Sequence, residues 1–169
     1  TPLLFNSDCA MYFAQPTENE ERFYRNAMGD EVVYVSDGSG VLESQFGDLP
    51  YKSGDYLVIH RGILHRYRMD AVPHKLLVME SRGYVRYPKR YVNEVGQIIE
   101  GAPFSERDMR RPLELVTHDV QGEFPQLVKQ YDSLHEVVLD HHPCDAAGGD
   151  GYSSQWTFNL HDVEPITGM

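Results

Sequence analysis

The sequence has no apolar run approaching the roughly 20 residues that cross a bilayer. Its start, Thr1 to Cys9, has no basic stretch leading into an apolar core. Neither a membrane partner nor a signal peptide is expected. Basic charge is scarce: 15 Lys and Arg stand against 26 Asp and Glu, a formal net charge of -11. That argues against a nucleic-acid partner, because phosphate binding needs concentrated Lys and Arg. The one basic stretch, Arg82 to Arg90, sets Arg86, Lys89 and Arg90 among Tyr84, Tyr87 and Tyr91. Cations interleaved with rings can hold a single strand. In so acidic a chain the stretch reads instead as a strand edge or subunit contact.

Cysteine is nearly missing. Cys9 and Cys144 are too few and too far apart for a disulfide framework, so reduced thiols in a cytoplasmic protein are expected. No long stretch has helical period. The best helix candidate is Ser105 to Arg111, with Ser105 as cap and Pro112 as stop. There is no Gly-rich phosphate loop and no Gly-x-Ser-x-Gly elbow. The chain begins at Thr1, without an initiator Met, and reads as a trimmed or partial product.

What is present is a series of short β-rich runs. The 169 residues, 41% of them hydrophobic, suffice for one globular domain. Glu31 to Val35, Val41 to Phe46, Tyr56 to Ile59, His65 to Met69 and Lys75 to Glu80 read as strands. Turn chemistry divides them, above all Asp37-Gly38-Ser39-Gly40 and Lys52-Ser53-Gly54-Asp55. Such regular short strands predict a sandwich or barrel rather than βαβ units. Leu134 to Leu139 and Gln155 to Leu160 are further strand candidates. Asp119 to Gln130 reads as loop, as does the Gly- and Asp-rich stretch from Cys144 to Ser154.

One spacing carries the fold. Gly54, five residues, His60, one, Gly62, two, His65 resembles the second cupin motif, with His60 where that motif has Pro. Upstream, Glu31, six residues, Gly38 matches the end of the first cupin motif, and the 15 residues between Gly38 and Gly54 fit the usual interval. The expectation is all-β: a cupin-type double-stranded β-helix, or jelly-roll barrel, with loop-rich extensions. Metal-binding cupins carry His-x-His three or four residues ahead of the Glu. Here those positions are Tyr24 and Asn26, or Arg25 and Ala27, and no His precedes residue 60. Only Glu31 and His65 survive, with His60 as a third candidate ligand. Two ligands hold Fe(II) or Zn(II) poorly.

Other clusters are weaker. The run LHEVVLDHHPCD gathers His135, Glu136, Asp140, His141, His142, Cys144 and Asp145, but its spacing fits no standard metal pattern. On a strand His135 and Glu136 face opposite sides. Ser133, His135 and Asp140 lack the setting of a nucleophile. Glu43 and Asp48 read as a solvated hairpin edge. Tyr24, Tyr34, Tyr56 and Tyr67 suit either a pocket lining or a core.

Five stretches in order resemble one family: FYRNAMGDEVVYVSDGSGVLESQFG (Phe23 to Gly47), GDYLVIHRGILHRY (Gly54 to Tyr67), KRYVNEVGQIIEGAPFSERDMRRP (Lys89 to Pro112), HHPCDAAGGDGY (His141 to Tyr152) and FNLHDVEPITG (Phe158 to Gly168). They are similar to the N-terminal half of the homogentisate dioxygenases, in the shorter bacterial form. The resemblance implies two cupins, with Fe(II) on two His and one Glu of the C-terminal one. No family iron ligand carries over to a residue here, so no catalytic residue is assigned. It implies an arm over 1–22, a barrel over 23–118, and strands and loops over 119–169 leading to a C-terminal cupin. It further implies a supporting role, with that C-terminal half and further copies of the chain as partners. Fe(II) is expected in the full-length parent and no tightly bound metal in this chain. The alternatives are a stand-alone metal-dependent cupin enzyme using Glu31, His65 and His60, and a metal-free binder of a small molecule.

Overall fold

The protein is described here by a computed structural model, which covers residues 2–112, 114–115, 117–145 and 154–165. Two six-stranded sheets face each other. The first contains, in spatial order, β1 (Leu4–Phe5), β2 (Cys9–Ala14), β9 (Lys75–Ser81), β4 (Asp30–Asp37), β7 (Asp55–Ile59) and β12 (Trp156–Asn159). The second runs β11 (Ser133–His141), β10 (Gln121–Gln130), β3 (Phe23–Asn26), β8 (His65–Met69), β5 (Ser39–Ser44) and β6 (Leu49–Lys52). Every pairing is antiparallel except β3 with β10. This is the expected cupin-type double-stranded β-helix. Among the described residues no helix is long and apolar enough to cross a membrane.

The core follows from strand alternation. On β4, Val33 and Val35 point inward and are buried; on β7, Leu57 and Ile59 do the same. They meet Leu42, Leu49 and Tyr51 from the opposite sheet. Side chains of both inner faces interdigitate between the two sheets. The chain crosses from the first sheet to the second at Gly38. Its φ of +117° suits glycine, and a Cβ there would lie 2.6 Å from the buried His74 ring.

All seven strands expected from the sequence are present, each within two residues of its expected ends. Two of the local readings change. Asp119 to Gln130 is mostly strand, not loop: β10 lies between β11 and β3. Its Gly122 and Pro125 disguised it, and both flank a register irregularity between Gln121 and Phe124 that accommodates them. Ser105 to Arg111 is a single turn rather than a helix. The Ser105 amide and hydroxyl both donate to Asp108 Oδ2, at 2.7 and 3.0 Å, which closes the turn on itself. The 1–22 arm contains β2, which extends the first sheet along β9. Residues 146–153 of the Cys144 to Ser154 loop, and the end of the EPITG stretch, lie outside the described residues.

Candidate functional site

The inner face of β4 carries Glu31 beside Val33 and Val35, so the barrel interior receives one carboxylate. Opposite it, the only ladder pair joining β3 to β8 sets Tyr24 against His65. Their rings meet edge to face at 5.5 Å, and His65 meets Tyr67 the same way at 5.8 Å. The structure thus gathers Glu31 and His65 around Tyr24.

The two positions where metal cupins carry histidine now have a defined role. Tyr24 donates its hydroxyl to Glu31 Oε1 at 2.8 Å, and Asn26 donates its amide to the same oxygen at 2.9 Å. Asn26 also donates to Glu80 at 3.0 Å, and Lys129 pairs with the other Glu80 oxygen. Asn26 Oδ1 in turn accepts from the Met28 and Gly29 amides, at 2.9 and 3.0 Å. A chain of hydrogen bonds runs where metal bonds would otherwise converge. Burial and the Glu31 charge push the Tyr24 hydroxyl far above its ordinary pKa, so it stays a donor.

His60 does not join this centre. Asp30 and Glu31 are neighbours on β4 and so face opposite ways, and His60 Nδ1 contacts Asp30 Oδ2 at 3.0 Å on the outer side. Asp30, with no exposed surface, also accepts from the Arg61 amide, Arg61 Nε and the Val85 amide. Burial alone would raise its pKa; these donors outweigh burial and hold the carboxyl below its usual value.

The tyrosines divide. Tyr24 and Tyr67 line the interior. Tyr34 and Tyr56 lie outside, in a row of rings that continues through Phe158 and Trp156 to Tyr87, with centroid spacings of 4.8 to 5.8 Å. The basic stretch lines a broad surface groove with His60, Arg61 and Arg110, where Arg61 and Arg86 both lie over the Tyr84 ring.

Glu43 is not a solvated hairpin edge. It is 4% exposed and bound by Arg66 and Arg68 of the neighbouring strand, while its proposed companion Asp48 pairs with Arg68. Of the His135 to Asp145 cluster, His135, Glu136, Asp140 and His141 are exposed along β11; His142 and Cys144 turn inward and are buried. Both cysteines are free thiols. Burial, then Glu43, pushes the Cys144 thiol up to about 12, so it is protonated and inert at neutral pH.

His65 is fully enclosed. Burial pushes its pKa down, against the pull of Glu31 and of the Ile63 carbonyl that accepts from Nδ1 at 3.0 Å. His142 is depressed as well, by burial first and then by His118. Unfolded histidines titrate near 6.5, so below about pH 6.5 the unfolded chain binds protons that the folded chain refuses. This stability is fully present above that pH and is lost as pH falls. Between pH 6.5 and 5, above the range of unfolded carboxylates, each such histidine should lower the unfolding free energy by up to about 1.4 kcal/mol per pH unit. Urea titrations at several pH values check this; His65→Gln should flatten the dependence, and an unchanged slope would refute the assignment.

Comparison with known proteins places this geometry in context. The sequence pattern of the family described as "Homogentisate 1,2-dioxygenase N-terminal" matches residues 6–160. A protein of Saccharolobus solfataricus named "Putative dioxygenase SSO1533" is 37% identical over 169 residues, covering 98% of this chain and 43% of that protein. The homogentisate 1,2-dioxygenase of Bradyrhizobium diazoefficiens is 24% identical over 157 residues, 92% of this chain and 34% of its own length. The chain therefore spans less than half the length of these relatives. Among solved structures, KdgF from Halomonas sp. aligns with a TM-score of 0.44 and 13% identity, over 50% of this chain and 77% of that one. A cupin-2 domain protein from Shewanella frigidimarina aligns with a TM-score of 0.42 and 18% identity, over 48% and 78%.

Proposed function

Since the chain belongs to the homogentisate 1,2-dioxygenase N-terminal family, we propose that it is the non-catalytic cupin of a ring-cleaving dioxygenase acting on homogentisate or a related hydroxylated aromatic acid. In this reading the Fe(II) and the oxygen chemistry belong to the other half of the parent protein. The present chain supports that half and contributes to the oligomer. The observation that carries the proposal is that Tyr24 and Asn26, neither of them histidine, fill the places beside Glu31 and donate to its Oε1. A ligand carboxylate needs two or three partner ligands beside it. Here Tyr24 and Asn26 are donors to Glu31 rather than ligands, His60 faces away, and among the described residues His65 is the one histidine beside Glu31, which leaves two ligands. The residues of this centre do not fit the family's iron.

A docking role is supported by apolar groups on the open sheet edges. Leu3, Leu4 and Phe5 are 60%, 68% and 75% exposed at the β1 end, and Leu134 and Val138 are 61% and 57% exposed on β11. The experiment is oxygen uptake by the isolated chain with homogentisate and Fe(II). No turnover is expected, and iron retained after desalting should be the same in Glu31→Gln and His65→Ala as in the unchanged protein. Turnover that disappears in either variant would make this domain an enzyme and overturn the proposal.

A further inference from the structure

The outer face of the second sheet gathers another set of ligating groups, on the opposite face from the interior that holds Glu31 and His65. Glu43 stands on β5 directly across from Arg66 on β8. Its Oε2 accepts from Arg66 Nη2 at 2.7 Å and Nε at 3.2 Å, with Arg68 Nε at 3.3 Å. Its Oε1 faces two imidazoles, with His142 Nε2 at 3.8 Å and His118 Nε2 at 4.0 Å. Both distances exceed a hydrogen bond. The two rings stack, centroids 4.2 Å apart and planes 24° from parallel, and Phe23 and Phe124 wall in His142 edge-on. One ligand atom from each of Glu43, His118 and His142 lies within 4.8 Å of the others.

We infer that Glu43 Oε1, His118 Nε2 and His142 Nε2 form a binding site for one divalent transition-metal ion of the Zn(II) type.

Two imidazoles and a carboxylate are a donor set such ions favour. Bonds of about 2.0–2.2 Å set tetrahedral ligand separations near 3.4 Å, so Glu43 Oε1 needs to approach each imidazole by only about half an ångström, while the stacked rings must splay for both lone pairs to meet one ion. The arginines on Oε2 orient the carboxylate and leave Oε1 as the ligand oxygen, which is how outer hydrogen bonds aim a metal ligand. Two features oppose binding and set it below the affinity of an all-protein tetrahedral zinc site. The guanidinium charges repel a cation, although Asp48 offsets Arg68. The Cys144 amide donates to His142 Nδ1 at 3.2 Å, which places the ring proton on Nε2, so ligation needs the other tautomer, with the proton moved to Nδ1 and this hydrogen bond given up. An ion so held would tie β5 to the segment carrying His118 and to the end of β11, clamping the cover over this sheet face. This site is independent of the barrel centre and of where the iron chemistry resides.

The test uses tag-free protein and Zn(II), with Co(II) as a spectroscopic substitute. After incubation and desalting, about one equivalent of zinc should remain, and Co(II) should show the intense visible bands of a low-coordinate site. His118→Ala removes a half-buried ring and should weaken binding at least tenfold; His118→Asn is the second variant should the first misfold by circular dichroism. Glu31→Gln and His65→Ala should leave zinc retention unchanged, which separates this site from any metal in the barrel. Zinc that washes out, or binding indifferent to both His118 variants, would overturn the assignment.

Discussion

Asp30→Ala should cost the fold about 3–5 kcal/mol, the range for removing one partner from a buried ion pair. The carboxylate has no exposed surface and anchors four donors from three places in the chain: His60, the amide and guanidinium of Arg61, and the Val85 amide. Alanine removes the shared partner of all four; the imidazole and guanidinium reach the surface groove and regain part of their hydrogen bonding from water, so the loss falls at the lower end of that range, each group that stays stranded carrying about 1–3 kcal/mol. The Arg61 side chain, which also donates to the Arg82 carbonyl and lies over Tyr84, would lose its inner hold. Asp30→Asn keeps one oxygen but opposes an amide donor to the remaining N–H groups, so it should lose less. Urea unfolding would read this as a lower midpoint with an unchanged slope. A loss under about 1 kcal/mol would show that Asp30 is not the anchor of this corner.

Asp30 stood out in no motif, whereas its neighbour Glu31 did. The motif spacing identified Glu31, Gly38, Gly54 and His65, since glycine turns and alternating strands leave local signatures. It left Tyr24 and Asn26, or Arg25 and Ala27, as the positions that carry histidine in metal cupins, and the structure puts Tyr24 and Asn26 at Glu31. Their work as donors to Glu31 depends on side-chain reach across two sheets, which no spacing encodes. Glu43 was misread for a related reason. An acidic residue on a short strand looks solvated, and its burial comes from the segment around His118 and the turn after β11, both remote in sequence. His118 itself lies in no motif, and only the fold brings it to Glu43. β10 was missed because Gly122 and Pro125 are ordinary loop signals; its place between two strands overrides them.

The second large effect is a gain. Tyr24→His together with Asn26→His should restore a metal centre inside the barrel, with the new imidazoles joining Glu31 and His65. His65 already suits this, because its Nδ1 hydrogen donates to the Ile63 carbonyl and leaves Nε2 free to ligate. The apo double variant should be less stable than the unchanged protein by about 1–3 kcal/mol. Asn26 holds the Met28 and Gly29 amides as well as Glu80, and all three contacts are lost. Metal should return that stability and more, since an ion at a hundred times its dissociation constant adds about 2.7 kcal/mol. Made in a His118→Ala background, the variant should retain close to one equivalent of Zn(II) or Fe(II) after desalting, and Glu31→Gln should abolish it. Failure to retain metal would mean that the missing histidines are not what separates this centre from a working one.

The parallel pairing of β3 with β10 and the addition of β12 to β7 have a consequence for how the chain emerges during synthesis. Strands near the start of the sequence wait for partners made about a hundred residues later, as Phe23 opposite Gln126 and Leu57 opposite Thr157 illustrate. Neither sheet can be completed while the nascent chain is still short, and non-local closures of this kind slow folding. The single tryptophan, Trp156, lies on the last of these strands, with its ring against Tyr87 and Phe158. Its fluorescence is thus a built-in clock for the closing step, silent on the early hairpins and responsive when β12 seats.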